Sequence, residues 1–457
     1  MHLLPLNDLV EKLVALDNGI QPMLLADDIA LVPRISDDCL EDVLRRLQQS
    51  LGVCSVWARE NFMTFSKDKS NLLCFRRTRH LDPFTSDALS HLTLESFASE
   101  PFKLKVVDSY KYLGIKFNAY VRQLFTSHWE DLIHAVEFRV HQVCRTIDKE
   151  TPIMVGIQLV TSIVRSKIGY SLSLLHSTKE SVYTRLQALI AKPLKKILGL
   201  PRNASTLATL AECGLSTILK WKDKLTLQLA HRISSMDASH ASHELFYQHD
   251  YNLDHAAAPP SRSYKSLLQS LGSRVRDLEA GRQPGPWNVP DHRSTDPRQL
   301  KLKEMQLSYQ QWLDANQSLL LQSLKPRQLD SIRRELYIIH DRPSVSKLRA
   351  RFRFNRAKTN QILFRYGQRP VPDCPSCANG VVDSVEHTLL ECPSYDSQRQ
   401  RLCDQLQRVI PPPLRALSLN IILGDFRALP GLVKKTLLDI LEWTGNFIEY
   451  VVETRKL

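Results

Sequence analysis

The sequence predicts an α+β fold that continues into a helical region and ends in a small module containing cysteine and histidine. Short apolar strands alternate with amphipathic helices over residues 1–118, which is the α+β pattern. Apolar residues recur at helical spacing over residues 119–250. Three cysteines and one histidine cluster between residues 374 and 392. A chain of 457 residues is long enough for two or three domains.

The first notable element is an acidic turn. Asp27 and Asp28 interrupt the apolar run of residues 22–32, a pattern that predicts a strand, a tight turn and a second strand. Carboxylates at a fixed turn are ligands that Mg²⁺ accepts at phosphoryl-transfer sites. Adjacent aspartates also occur by chance, so the pair by itself is equally an ordinary acidic turn.

The segments after this turn follow a definite order. Residues 39–57 predict an amphipathic helix, and residues 60–70 form a polar turn that contains Lys69. A short strand is predicted over residues 72–75, and a second tight hairpin over residues 108–117, around the sequence Tyr-Lys-Tyr-Leu-Gly.

This order resembles the second half of the palm of LINE-type (non-LTR) retrotransposon reverse transcriptases. In that family an Ala-Asp-Asp hairpin is followed by a helix, an Asn-x-x-Lys-x-Lys-Ser-like turn and a Tyr-Lys-Tyr-Leu-Gly hairpin. The resemblance implies that Asp27 holds the catalytic Mg²⁺, that Asp28 supports it, and that Lys69 acts near the leaving pyrophosphate. The primer grip implied by the resemblance comprises Tyr110, Tyr112, Leu113 and Gly114.

The resemblance covers only part of a polymerase. Residues 6–16 resemble the helix that leads into the Ala-Asp-Asp hairpin. The family's fingers, the strand with the first catalytic aspartate and the Gly-rich template segment have no counterpart in this sequence. Leu25 stands where the family usually has an aromatic residue. We therefore expect a truncated palm that is inactive alone.

Two apolar stripes predict a helical bundle after the palm. The first comprises Leu132, Ala135, Val136, Phe138, Val143 and Ile147, and the second Leu186, Leu189, Ile190, Leu194 and Ile197. Residues 197–215 also resemble the region after the palm in these retroelement proteins, so a thumb-like region is expected over 119–250. Residues 251–300 are rich in Pro, Ser and Gly and predict a linker, and helical periodicity returns in the basic region 301–457.

The cysteine and histidine cluster predicts a zinc site. Cys374, Cys377, His387 and Cys392 follow the spacing C-x2-C-x9-H-x4-C. Three thiolates and one imidazole form the closed tetrahedral set typical of structural zinc, and Gly380 permits the turn after the first two ligands. Residues of about 370–395 also resemble the zinc-binding domain of these reverse transcriptases, most specifically in the segment from Ser384 to Pro393.

A basic segment precedes the zinc cluster. Residues 342–372 contain nine Lys and Arg and no acidic residue. Cations neutralise phosphates and aromatic rings stack on unpaired bases, so the segment predicts contact with RNA or DNA. The predicted contacts are Arg349, Arg351, Arg353, Arg356 and Lys358. The alternative is a solvated basic face whose phenylalanines, Phe352 and Phe354, pack on the zinc module.

Composition favours a polyanion as the partner. The net charge is +13, although the first 60 residues carry only 5 basic side chains against 10 acidic ones. No apolar run approaches the roughly 18 residues that span a bilayer, so no membrane partner is expected. Nine cysteines, an odd number, and an N-terminus unlike a secretory signal predict a reducing compartment, nucleus or cytoplasm, without secretion.

Three functions are compatible with the sequence. The first is a truncated retrotransposon reverse transcriptase that retains zinc and nucleic-acid binding, with a vestigial Mg²⁺ site at Asp27 and Asp28. The second is a polymerase half completed by an upstream portion or a partner chain. The third is a zinc-containing interaction protein with no nucleic-acid role.

Overall fold

Two units make up the computed structural model of the protein, residues 1–131 and residues 132–457. The structure describes residues 7–25, 27–33, 39–80, 83–97, 99–173, 180–219, 335–377, 380–410, 417–426 and 431–455, with single positions between 221 and 237 and at 429. Helices and short strands are mixed, which confirms the predicted α+β class. The predicted linker, residues 251–300, lies outside the described residues, as do residues 301–334.

Short strands and three helices form the N-terminal unit. The helices are α1 (Asn7–Ala15), α2 (Leu40–Glu60) and α3 (Pro83–Leu89). The strands are β1 (Ile20–Leu25), β2 (Asp28–Pro33), β3 (Asn71–Leu72), β4 (Thr93–Ser96), β5 (Ser99–Lys103), β6 (Lys105–Val106), β7 (Ser109–Tyr112) and β8 (Ile115–Asn118). In the described part of this unit, β1–β2, β4–β5 and β7–β8 pair antiparallel, and β3–β6 pair parallel.

The core of this unit lies along one face of α2. Leu47, Leu51, Cys54, Trp57 and Ala58 recur at helical spacing and are buried. They pack with apolar side chains of α1, β1 and the β4–β5 hairpin, which are Leu9, Leu13, Ile20, Leu94 and Phe102. Burial of each large side chain contributes about 1.5–3 kcal/mol, so this face holds the acidic hairpin against the helix.

The predicted elements of this unit are present with one difference in length. The helix predicted over residues 6–16 is α1, and the helix predicted over residues 39–57 is α2. The strand predicted over residues 72–75 is shorter, because β3 pairs with β6 only at Asn71 and Leu72. Phe75 is exposed instead of packing into a strand face.

A two-residue turn closes the β7–β8 hairpin. Tyr112 pairs with Ile115, and the residues between them, Leu113 and Gly114, have φ of 48° and 79°. Left-handed conformations at both central positions match the right-handed twist of the flanking strands. Glycine adopts this conformation freely, whereas leucine adopts it at a cost of about 1–2 kcal/mol.

Helices dominate the C-terminal unit. Its first part contains α4 (Thr126–Thr146), which begins in the preceding unit, then α5 (Ile153–Leu159), a π-helical turn (Val160–Arg165), α6 (Ser166–Leu172), α7 (Glu180–Ile197) and α8 (Thr206–Glu212). Its second part contains α9 (Leu336–His340), α10 (Pro343–Arg353), α11 (Asn360–Arg365), α12 (Asp396–Gln407), α13 (Leu419–Ile422) and α14 (Lys434–Arg455).

Most of the predicted apolar stripes are buried between these helices. The α5 and α7 helices approach closely at Gly156, where a Cβ would lie 2.5 Å from Cδ1 of Ile197. Phe138 is a correction to the predicted core, since it is 64% exposed. It lies two positions after the buried Val136, and two residues correspond to about 200° around a helix, so Phe138 faces away from the core.

No helix in the described ranges combines the length and apolar character needed to cross a membrane.

Candidate metal centre

A short hairpin-like turn positions the first two cysteines. The Cys374 amide donates to the carbonyl oxygen of Val381 at 2.8 Å, and the Asp383 amide donates to the carbonyl oxygen of Pro372 at 2.8 Å. Gly380 has φ of +65°, a left-handed conformation that returns the chain, as the sequence predicts. The Cys374 and Cys377 thiols therefore point toward one region.

A π-helical turn positions the other two ligands. It spans His387–Glu391, and the Cys392 amide donates to the carbonyl oxygen of His387 at 2.7 Å. The hydroxyl of Ser384 accepts from the His387 amide at 3.0 Å and so caps the start of this turn. Single π turns are rare and recur at functional sites, and this one places His387 and Cys392 on the same side.

The four ligand atoms are spaced for one metal ion. All of them lie within 4.8 Å of one another. The Cys392 sulfur is 3.9 Å from the sulfurs of Cys374 and Cys377, and the Cys377 sulfur is 3.4 Å from Nε2 of His387. Tetrahedral bonds of about 2.3 Å to sulfur and 2.0–2.1 Å to nitrogen would give separations of about 3.8 Å and 3.5 Å. The sulfurs are too far apart for disulfides, so these residues could hold a metal ion.

Buried charges support the Cys374 sulfur. Arg455, in the last turn of α14, donates to this sulfur at 3.3 Å and pairs with Asp383 at 2.7 Å. It also donates to the hydroxyl of Thr388 at 3.1 Å, which in turn donates to Asp383 at 2.9 Å. Residues around the ligands orient them and tune their charge. Sequence reasoning missed this set, because nothing in the sequence links Arg455 to a cysteine far upstream.

Arg399 holds the second half of the cluster. Arg399 donates to the carbonyl oxygens of Cys392 at 2.5 Å and Leu389 at 3.2 Å, which fixes the end of the π turn. The second ring nitrogen of His387, Nδ1, lies 3.6 Å from the Glu391 carboxylate, which is beyond hydrogen-bond distance, and has no hydrogen-bond partner among the described residues.

The cluster has unequal thiols. Burial opposes ionisation of Cys374, but the Ser376 amide and the charge of Arg455 lower the pKa of this thiol. Desolvation and hydrogen bonds to the other two thiols raise the pKa of Cys377 to about 12. A bound divalent ion would replace the Cys377 proton, so metal binding releases protons and weakens as the pH falls.

The acidic turn lies beside the predicted primer-grip hairpin. Asp27 is in the exposed turn between β1 and β2, and Asp28 begins β2 opposite Leu25. Burial and the nearby charge of Asp28 raise the pKa of Tyr110 and of Tyr112. The structure therefore brings Asp28 close to both tyrosines.

Lys69 contacts the primer-grip hairpin through its backbone. Its carbonyl oxygen accepts from the Tyr110 hydroxyl at 2.6 Å, and its side chain is exposed. In the described ranges no further carboxylate, histidine or cysteine joins Asp27 and Asp28 to form a group of three possible ligands. The structure thus relates Asp28 and the Lys69 backbone to Tyr110 without supporting a Mg²⁺ site there.

Two of the predicted nucleic-acid contacts are wrong, because their guanidinium groups are buried. Arg349 is fully buried, and its Nε donates to Asp341 at 2.8 Å. Its other nitrogens donate to the carbonyl oxygens of Ile422 and Leu441 and to the Thr444 hydroxyl. These contacts use four of the five N–H donors of Arg349, and full burial of the side chain keeps a phosphate away from it.

Arg353 is the second correction. It is 2% exposed and donates to both carboxylate oxygens of Glu212, at 2.5 and 3.2 Å. It also donates to the carbonyl oxygen of Leu423 at 3.1 Å, and the Tyr337 hydroxyl donates to the same Glu212 carboxylate. The alternation of arginine and phenylalanine reflects packing here, since Phe352 is buried too.

The other predicted contacts lie nearer the surface. Arg351 is half-buried, and its Nε donates to the carbonyl oxygen of Gly199 at 2.9 Å. Arg356 is half-buried and donates to the Tyr366 hydroxyl, and Lys358 is exposed. Arg356 and Lys358 therefore remain candidates for phosphate contact.

No protein-family model matches this chain, and no curated protein is significantly similar to it. The site is therefore interpreted from its own geometry and chemistry.

Arg349 provides a test of the buried network. Replacement by Met leaves Asp341 buried without a cation, so we expect a loss of about 3–5 kcal/mol in the free energy of unfolding. Lys358→Met is the matched control, and its exposed charge should change stability by less than about 0.5 kcal/mol. Urea denaturation followed by circular dichroism measures both, and equal small effects would contradict the assigned role of Arg349.

Proposed function

We propose that this chain is a relative of LINE-type reverse transcriptases whose C-terminal module is ordered by zinc and binds nucleic acid. The observation that carries the proposal is the four-ligand Cys₃His cluster beside a basic segment with solvent-facing cations. The acidic turn and the Tyr-Lys-Tyr-Leu-Gly hairpin support the reverse-transcriptase lineage.

Zinc is the metal that fits the ligand set best. Three thiolates and an imidazole are soft and borderline ligands, which disfavour Mg²⁺ and Ca²⁺ and suit Zn²⁺. Cys374, Cys392 and His387 are buried, and Cys377 is half-buried. Four protein ligands complete a tetrahedron and leave no position for a substrate, so the role of the ion is structural.

The zinc site would fix the surface next to it. Asp383 accepts from the Asn360 amide at 2.6 Å, and the Asn360 side chain donates to the carbonyl oxygen of Asp373 at 2.7 Å. The start of α11 is thereby tied to the turn that carries Cys374. Metal binding to such modules contributes on the order of 10 kcal/mol to folding, which is enough to hold the neighbouring basic segment in one conformation.

The basic segment then supplies phosphate contacts. Arg356 and Lys358 have no carboxylate partner in the described ranges. Cations of this kind release counterions from nucleic acid when they bind, with little dependence on base sequence. The overall charge of +13 adds long-range attraction.

Nucleic-acid binding without polymerisation is the activity we propose for this chain by itself. Two-metal nucleotidyl transfer needs carboxylates that clamp both metal ions. Asp27 and Asp28 are exposed neighbours on one turn, and the described ranges provide no third ligand near them. A polymerase half completed by another chain and a zinc protein without a nucleic-acid role are the competing outcomes of the tests below.

One zinc ion per chain is the first expected result. Metal analysis of the purified, fully reduced protein should give about one equivalent of zinc. Cys374→Ser should lose the metal and expose residues 370–395 to hydrogen exchange, because a thiolate ligand is removed. Cys403→Ser is the control, since Cys403 lies outside the cluster and should leave the zinc content unchanged. A wild-type protein far below one equivalent would refute the zinc assignment.

Primer extension tests the second part of the proposal. With a poly-A template, an oligo-dT primer and Mg²⁺ or Mn²⁺, the chain should give no more product than Asp27→Ala. Extension that depends on Asp27 would show a working catalytic turn. Extension only after a second chain is added would favour the polymerase half.

Salt dependence tests the nucleic-acid contact. Replacing Arg356 and Lys358 together by Gln should lower the slope of log K against log salt for RNA by about 1.4–1.8, since each phosphate contact contributes about 0.7–0.9. Lys192→Gln with Arg202→Gln removes the same charge from exposed positions outside the basic segment. Equal losses for both pairs would indicate a diffuse field, and no retention of RNA by the wild type would favour the interaction protein.

A further inference from the structure

The structure divides the nine cations of residues 342–372 into two groups. Five of them contact a carboxylate or a backbone carbonyl oxygen, and these are Arg342, Lys347, Arg349, Arg351 and Arg353. The other four contact neither kind of group among the described residues, and these are Arg356, Lys358, Arg365 and Arg369. All four lie within 14 residues that include α11 and the turn after it, so the cations without a carboxylate or carbonyl partner are concentrated in one short segment.

The turn after α11 projects into solvent. Every residue from Phe364 to Val371 is exposed. Gly367 has φ of +68° and ends the helix, with its amide donating to the carbonyl oxygen of Phe364 at 2.9 Å. The Gln368 amide donates to the carbonyl oxygen of Leu363 at 2.8 Å, which closes the turn. The projection is therefore ordered by backbone hydrogen bonds.

Tyr366 is an exposed aromatic ring held in place at this turn. The residue is 45% exposed, and Arg356 donates to its hydroxyl. The guanidinium carbon of Arg356 lies 5.8 Å from the ring centroid, within the range of a cation–π contact. One cation thus positions the ring while nearly half of the residue's surface stays open. Pre-ordering of this kind reduces the entropy lost on binding.

Phe364 is a natural comparison for Tyr366. It is 46% exposed, almost the same fraction. It lies two positions earlier, about 200° around the helix, and no cation is placed over its ring in the described structure. Phe364 and Tyr366 are equally exposed, but only Tyr366 is positioned by a cation in the described structure. A comparison of the two therefore distinguishes the effect of a positioned ring from that of exposed apolar surface in general.

We propose that Tyr366 is a stacking platform for an unpaired base, and that Arg356, Lys358, Arg365 and Arg369 bind the flanking phosphates of single-stranded nucleic acid. This proposal rests on the proposed nucleic-acid binding and adds that the preferred ligand is single-stranded. An exposed ring among unpaired cations matches a polyanion with free aromatic faces. A duplex hides its base faces within the stack, so it offers only phosphates to this surface.

The proposal is tested by measuring the affinity of the full-length, zinc-loaded protein for two ligands. One is a fluorescein-labelled 12-nucleotide oligo-U, and the other is a duplex with the same number of phosphates. Tyr366→Leu should weaken binding of the single strand by about 5- to 150-fold, with an unchanged salt slope, because a stacked base is lost without a phosphate contact. Binding of the duplex should change less than twofold. Phe364→Leu should leave both affinities unchanged.

Two more variants separate the ring from the charges. Tyr366→Phe keeps the ring and should bind within about threefold of the wild type. Arg365→Gln with Arg369→Gln should lower the salt slope for both ligands. Melting temperatures for all variants should match the wild type within about 2 °C, since the altered side chains are exposed.

Several outcomes would overturn the platform. They are an unchanged affinity of Tyr366→Leu for oligo-U, an equal loss with Phe364→Leu, and competition by poly-glutamate as strong as that by oligo-U at equal charge. In each of these cases a wild type that still binds RNA leaves the proposed function intact. A wild type that binds neither ligand refutes the proposed function as well.

Discussion

Buried arginines determine which surface the basic segment presents. A guanidinium inside a protein must have its charge paired and its donors satisfied, because an unpaired buried charge costs several kcal/mol. Arg353 meets this requirement with both oxygens of Glu212 in α8, and Arg349 with Asp341 and three groups of α13 and α14. These contacts lock α10 in position, and Lys358, Arg365 and Arg369 after it are exposed.

Small residues make room for this arrangement. A Cβ at Gly424 would lie 3.2 Å from Cδ of Arg349, and a Cβ at Gly445 would lie 3.3 Å from its Nη2. Gly424 also has φ of +77°, so only glycine fits there without strain. The same helix that contains Gly445 ends in Arg455, which contacts the Cys374 sulfur. The α14 helix therefore connects the buried arginine network to the metal cluster.

Among its described residues, the N-terminal unit is stabilised by an apolar core instead of buried ion pairs. Its core is one apolar face of α2, and the two hairpins that carry the candidate residues are short and mostly half-buried. Asp28 lies near Tyr110 and Tyr112, and Lys69 meets Tyr110 through its carbonyl group. In the described ranges no third ligand joins the exposed acidic pair, whereas two-metal catalysis needs carboxylates that clamp both metal ions.

The sequence by itself determined the local elements and the metal ligands. Apolar patterns with periods of 2 and 3.6 residues predicted the acidic hairpin and α2. Gly114 and Gly380 both have positive φ in the turns that contain them. Cys374, Cys377, His387 and Cys392 were predictable because ligand type and spacing are encoded within about twenty residues. Only the tertiary structure decided the fate of the basic segment. Arg349, Arg353 and Arg356 look alike in sequence, but their partners Asp341, Glu212 and Tyr366 are set by packing, and burial separates a structural cation from one that can meet a phosphate.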